Sequence, residues 1–124
     1  MPQYPKEWPK DCPPSEAETA SGIYFRAAKS NPASSDEFMT YAELGRLPKA
    51  DPCRRSGLSL LRTREDAVHQ TQLFPKLGGL IFQAKLTAEH GKTLATPATL
   101  PSHTTWWPCE GIDRAALFHH VTVP

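Results

Sequence analysis

The segment SHTTWWP at 102–108 collects a histidine, three hydroxyl side chains and two adjacent tryptophans. Histidine titrates near neutral pH and hydroxyl groups both donate and accept hydrogen bonds, so His103 and Thr105 are candidate ligand-binding residues. The segment shows no clear helix or strand pattern, and we interpret it as a loop. Its tryptophans are expected to close the core, because each ring buries a large apolar area, and Trp106 is also a candidate wall of a ligand cleft.

A second group of residues that could do chemistry is DPCRRSG at 51–57, most of which falls in the segment 49–56 that we interpret as a loop. Paired arginines suit bidentate contacts with phosphate or carboxylate, and this makes Arg54 a candidate phosphate ligand. The alternative is a pair of solvated surface charges. Cys53 beside the arginines would have its thiolate favoured, but no general base is evident near it in the sequence.

The elements that must position these residues follow from hydrophobic period and capping residues. We expect four strands, at 22–27, 57–63, 79–87 and 117–123, because β-branched, aromatic or alternating apolar residues fill them. Two helices are expected, one starting at Ser34 or Ser35 and stopped by Gly45, and one capped by Thr63 and ended by Pro75. The pattern predicts an α+β fold, a twisted, mostly antiparallel sheet with one or two short helices in a single domain. Residues 1–20 are predicted to form a Pro-rich extended arm before the domain at 21–124, and 88–101 to form a loop.

Two of these segments together resemble the ADP-ribosyltransferase-like fold. GIYFRA places an arginine on the first strand, and SGLSLLRTREDA places a small hydroxyl residue on a strand just before a helix. The resemblance implies that Arg26 contacts the phosphates or ribose of a nucleotide and that Ser59, or less closely Ser56, lines the nicotinamide pocket. The family also has a glutamate near a late strand, for which Glu110 is the candidate here, although the last strand itself carries no acid. The pattern also looks like small uncharacterised bacterial proteins.

Length, charge and cysteine usage limit the function classes. The chain has 124 residues and a formal net charge of +1, so it lacks a large basic footprint and we do not expect nucleic acid as a partner. No stretch is long and apolar enough for a membrane span or signal peptide, and we expect a cytoplasmic protein without a membrane partner. An odd number of cysteines with no closely spaced pair fits that location. A metal site is not expected, because the possible ligands lack the short spacing of zinc modules; these are Cys53, Cys109, His103 and His119.

Two functions from different classes remain open after these arguments. The first is a nucleotide-binding domain for NAD or ADP-ribose type ligands, for which turnover is not predicted. Its candidate residues are Arg26, Arg54, Ser59, His103, Thr105 and Trp106. The second is a non-catalytic interaction module, an inhibitor or adaptor that contacts a protein partner through the Pro-rich arm and the tryptophan loop. The first requires the candidate residues to converge in one cleft.

Overall fold

A computed structural model describes residues 3–122 and shows one seven-stranded sheet in which every pairing is antiparallel. The strand order across the sheet is β1-β5-β6-β3-β2-β4-β7. The strands are β1 Glu18–Thr19, β2 Gly22–Ala28, β3 Leu58–Leu61, β4 Leu80–Leu86, β5 Gly91–Ala95, β6 His103–Pro108 and β7 His119–Val121. The helices are α1 Tyr41–Leu44, α2 Pro52–Arg55, α3 Arg64–Leu73 and α4 Arg114–Leu117, with 3-10 helices at Ser35–Phe38, Pro75–Leu77 and Ala88–His90. The predicted α+β class is confirmed. Within residues 3–122, no helix combines the length and the apolar character needed to cross a bilayer.

Local sequence determines where several of these elements begin and end. The Thr63 hydroxyl accepts a hydrogen bond from the Asp66 backbone N–H and caps α3 as predicted. Gly45 ends α1 in the left-handed region with φ 69°, a conformation that glycine adopts without steric cost. On β4, Phe82, Ala84 and Leu86 are buried on one face of the sheet, as the period of two requires, and Ile81 is buried on the other.

The apolar core lies on both faces of the sheet. Side chains at alternate positions of the central strands form the larger cluster, which Phe38 and Phe118 cover. The opposite face carries a smaller cluster that packs under Ala67 of α3. Both faces of β3 and β6 are therefore covered by protein, and these strands lack the half-polar pattern of a surface strand.

The prediction that 102–108 forms a loop is wrong. These residues include β6, which pairs with β5 on one side and β3 on the other. Trp106 and Trp107 are both 0% exposed, and their indole N–H groups donate to the backbone carbonyls of His90 and Cys53. A strand buried on both faces shows no alternation, and the flanking prolines hid a run of threonine and tryptophan that has high β propensity.

Three other segments differ from the sequence prediction in local structure. The expected loop at 88–101 contains β5, and the expected loop at 49–56 contains the single-turn helix α2, which Asp51 caps. The first helix is split into the 3-10 helix Ser35–Phe38 and α1. The split occurs because Thr40 caps a new helix by accepting from the Glu43 N–H.

Residues 3–20 are tied to the rest of the domain at several points. Cys12 and Cys53 form a disulfide with a Cα–Cα distance of 5.5 Å, and the Gln3 carbonyl accepts from the Glu110 N–H at 2.7 Å. The Tyr4 and Trp8 rings stack with centroids 5.5 Å apart, and β1 pairs with β5. The sequence spacing did not predict the disulfide, because residues 41 positions apart become neighbours only through the tertiary fold.

Candidate functional site

A cleft opens where β2 and β3 separate. The two strands are paired in the ladder at Phe25 and Leu61 only, so Arg26 and Ser59 lie just beyond the end of their pairing. Around this opening, α1, the end of α3 and two 3-10 helices enclose a space of about 620 Å³. This volume is within the range of small-molecule sites.

Arg26 forms the floor of the cleft and is held by backbone carbonyls. Its Nε and Nη2 groups donate to the Glu37 carbonyl at 3.1 and 2.8 Å, and Nη1 donates to the Ser59 carbonyl at 2.8 Å. The guanidinium also lies 5.3 Å from the centroid of the Phe38 ring. Among residues 3–122, no carboxylate oxygen lies within 4.0 Å of it. Burial lowers the pKa of Arg26 to about 10, so the side chain stays cationic at neutral pH.

The walls of the cleft combine positive charge with apolar surface. Lysine and arginine side chains outnumber carboxylates in the lining, which contains Arg26, Lys29, Arg46 and Lys76 against Asp36 and Glu37. The Glu37 carboxylate is already engaged by the backbone N–H groups of Lys29 and Ser34. Tyr41 and Leu77 at the rim are 43% and 48% exposed. A ligand with a negative group and a flat or apolar group fits this lining.

Behind the cleft, a hydrogen-bonded network of polar side chains links β3, β6 and the residue that follows β5. The Ser59 hydroxyl on β3 lies 3.0 Å from Nε2 of His103 on β6. Nδ1 of His103 lies 3.0 Å from the Thr96 carbonyl and 2.9 Å from the Thr96 hydroxyl. The Thr96 hydroxyl continues to the Thr105 hydroxyl at 2.9 Å. The pairing of β3 with β6 places Ser59 opposite Thr105 and brings this network together.

The surroundings of His103 determine its tautomer and its charge. A carbonyl only accepts hydrogen bonds, so Nδ1 carries the proton when it donates to the Thr96 carbonyl, and the Nε2 lone pair then faces the Ser59 hydroxyl. The Thr96 carbonyl is available to the ring because the His103 backbone N–H donates to Leu100 instead. Burial lowers the pKa of His103, opposed by the Thr96 backbone bond and reinforced by the positive charge of Arg54. The ring is therefore neutral at pH 7.

The remaining predicted site residues take different positions. Arg54 is exposed on α2, outside the cleft lining, and acts on His103 through charge alone. Thr105 is buried in the polar network. Trp106 is packed in the core, so the prediction that it forms a cleft wall is wrong. Ser56 is buried and donates to the Pro52 carbonyl, and Glu110 is exposed in a turn outside the cleft lining.

The cysteines and histidines do not form a metal cluster in the described part of the chain. Cys53 is unavailable as a ligand because the disulfide holds it. Burial raises the pKa of the Cys109 thiol, which leaves it protonated and a poor nucleophile at neutral pH. The disulfide also weighs against the expected cytoplasmic location, because such bonds persist mainly in oxidising compartments.

The sequence predicted that Arg26, Ser59, His103 and Thr105 belong to one site. Other residues of the site were not predicted. Thr96, which orients His103, falls in the segment predicted as a loop. Lys76 follows a proline after α3 and reaches the cleft only because the 3-10 helix Pro75–Leu77 turns back toward β2. Nothing in the sequence around Lys76 distinguishes it from a lysine on the solvent-exposed surface.

Comparison of the chain with protein-family models, curated proteins and solved structures finds no match. The likeness to the ADP-ribosyltransferase-like fold therefore stays a prediction from two short segments.

Proposed function

We propose that this protein binds a nucleotide of the NAD or ADP-ribose type in the cleft between β2 and β3. The observation that carries the proposal is the Arg26 guanidinium, a cation at the cleft floor with no carboxylate within 4.0 Å among the described residues. Arg26 is partly buried and interacts with the Glu37 carboxylate only from beyond salt-bridge distance, and a bound phosphate would supply a closer negative charge. Its carbonyl contacts fix the guanidinium in place before a ligand arrives.

The other lining residues support the same class of ligand. Lys76 and Arg46 place two further cations in the cleft lining, which suits a ligand with more than one negative group. Tyr41 and Leu77 offer partly exposed apolar surface for a base or nicotinamide ring. The proposal concerns binding, and it requires no turnover of the nucleotide.

The test is isothermal titration calorimetry of the full chain with ADP-ribose and NAD, with adenosine as the ligand that lacks phosphate. We expect saturable binding of the phosphorylated ligands only. Lys76→Ala is expected to weaken binding by about 10- to 150-fold, since a charge-assisted hydrogen bond contributes about 1.5–3 kcal/mol. Lys85→Ala is the matched control, because this exposed lysine on β4 lies outside the cleft.

Thermal shift measurements provide an independent readout. A ligand that binds only the folded state raises the melting temperature with concentration. Folded protein that shows neither heat nor a shift with millimolar ADP-ribose, NAD or inorganic phosphate would overturn the proposal. Equal loss of affinity in the Lys76→Ala and Lys85→Ala variants would show binding outside this cleft.

The alternative, a non-catalytic contact module, loses one of its two predicted surfaces, because the rings of Trp106 and Trp107 are buried. It is favoured by a separate observation at the end of α3. Leu73, Phe74 and Leu77 are 43%, 46% and 48% exposed and lie within five residues of one another. A pull-down that depends on Phe74, combined with no nucleotide binding, would support this alternative.

A further inference from the structure

We infer that Ser59 and His103 form a nucleophile–base pair capable of hydrolysing carboxylic esters. The Ser59 hydroxyl lies 3.0 Å from His103 Nε2, which is the separation needed for the imidazole to accept the hydroxyl proton. Ser59 lines the cleft and is partly exposed, so an ester carbonyl can approach it. The pair does not depend on the proposed nucleotide, since neither residue needs a phosphate for this chemistry.

Besides the serine nucleophile and its base, such a site needs a third group that orients the base. Here the Thr96 carbonyl accepts from His103 Nδ1 at 3.0 Å and fixes both the ring plane and the tautomer. The Thr96 carbonyl also lies beside the imidazole ring, which becomes positively charged when Nε2 takes a proton. Thr96 is thus a positioning residue, while Ser59 and His103 touch the reacting atoms.

Arg26 contacts the backbone of the residue that carries the nucleophile. Arg26 Nη1 donates to the Ser59 carbonyl at 2.8 Å, while the Ser59 hydroxyl lies on the sheet face that carries Leu61 and His103. The bonds of Arg26 to Glu37 and Ser59 leave further N–H groups without a partner among residues 3–122. The inference requires the oxygen of the intermediate to point into the gap between β2 and β3, where a fixed donor stabilises charge that develops only in the transition state.

The reaction proceeds in two balanced steps. Ser59 Oγ forms a bond to the ester carbonyl carbon while its proton passes to His103 Nε2, and the bond to the alcohol oxygen then breaks as that proton is returned to the leaving alkoxide. Water next attacks the acyl-serine carbonyl and gives one proton to Nε2. The bond from carbon to Ser59 Oγ breaks, the proton returns to Oγ, and the carboxylic acid leaves.

A fluorophosphonate probe tests the nucleophile directly, because it phosphonylates activated serines through the same attack. We expect time-dependent labelling of the wild-type chain, with the added mass mapped to the peptide that contains Ser59, and slow hydrolysis of p-nitrophenyl acetate. Ser59→Ala is expected to abolish labelling, and His103→Gln to slow it by about 100-fold or more. Ser15→Ala is the control, since this exposed serine lies outside the cleft.

Folding of each variant is checked by near-ultraviolet circular dichroism and melting temperature. Unlabelled wild-type protein that remains folded would overturn the inference, as would equal labelling of wild type and Ser59→Ala. If His103→Gln does not fold, the mapped site and the Ser59→Ala variant still decide the outcome. Failure here with retained ADP-ribose binding would remove the esterase inference and leave the proposed function in place.

Discussion

At the scale of single residues, the site depends on side chains whose partners are backbone carbonyls. Arg26 is held by the carbonyls of Glu37 and Ser59, and His103 by the carbonyl of Thr96. Carbonyl partners fix geometry without neutralising charge, so they leave Arg26 cationic and His103 able to accept a proton. The residue types Arg26, Ser59 and His103 were recognisable from sequence, whereas their partners depend on strand pairing.

The lowered pKa of His103 predicts a pH dependence of stability. The unfolded chain binds a proton at this histidine near pH 6.5, while the folded protein binds it only at lower pH. The unfolded state therefore holds more protons in that interval, and the free energy of unfolding decreases as the pH falls through about 6.5. Above that pH, the contribution of this residue is constant.

Urea unfolding at intervals between pH 8 and pH 5 measures this effect. We expect a decline below about pH 6.5 in wild type and a flatter profile in His103→Gln. Carboxylates with lowered pKa values, such as Glu43 beside Arg114, lose their contribution to stability only at more acidic pH. Their effect is therefore separate from the decline expected for His103. Identical slopes in the two proteins would show that His103 is not held neutral by its environment.

At the scale of elements, the cleft exists because β2 and β3 separate while the connection after α3 returns to β2. Gly78 makes this return possible, since its φ is 118° and a Cβ there would lie 2.2 Å from the Ala28 carbonyl oxygen. This contact brings the 3-10 helix Pro75–Leu77, with Lys76, to the cleft. Sequence alone predicts a turn at two adjacent glycines, but it does not show which of them is essential.

Substitution of the two glycines separates their roles. Gly78→Ala is expected to reduce the free energy of unfolding by about 3 kcal/mol, because it combines an unfavourable φ with a clash against backbone. Gly79→Ala is expected to change it by less than about 1 kcal/mol, since a Cβ there meets nothing within 4 Å. Chemical denaturation of both variants measures the difference, and comparable losses would contradict this account of the turn.

At the scale of the whole molecule, the N-terminal segment is joined covalently to the middle of the chain. The Cys12–Cys53 disulfide spans 41 residues and fixes α2, whose Cys53 carbonyl accepts from the Trp107 indole. The same bond lies near Arg54, which acts on His103. The N-terminal segment therefore supports the region of the site without lining it.

Removal of the disulfide is expected to destabilise the protein by about 2–4 kcal/mol, mainly through greater freedom of the unfolded chain. The double variant Cys12→Ser, Cys53→Ser is compared with wild type by urea unfolding under non-reducing conditions. Added reductant is expected to lower the stability of wild type and to leave the double variant unchanged. Two free thiols at Cys12 and Cys53 in native protein, found by mass spectrometry after alkylation, would contradict the bond.

The sequence by itself determined the α+β class, the cap of α3, the alternation of β4 and the main candidates Arg26, Ser59 and His103, because these depend on local propensity and side-chain chemistry. Only the tertiary structure showed that 102–108 contains a strand, since a strand buried on both faces has no alternation of apolar and polar residues. It also decided the contact of Ser59 with His103 and the disulfide, which join residues 44 and 41 positions apart. Such contacts arise from strand order and register, and a single sequence does not display either of them.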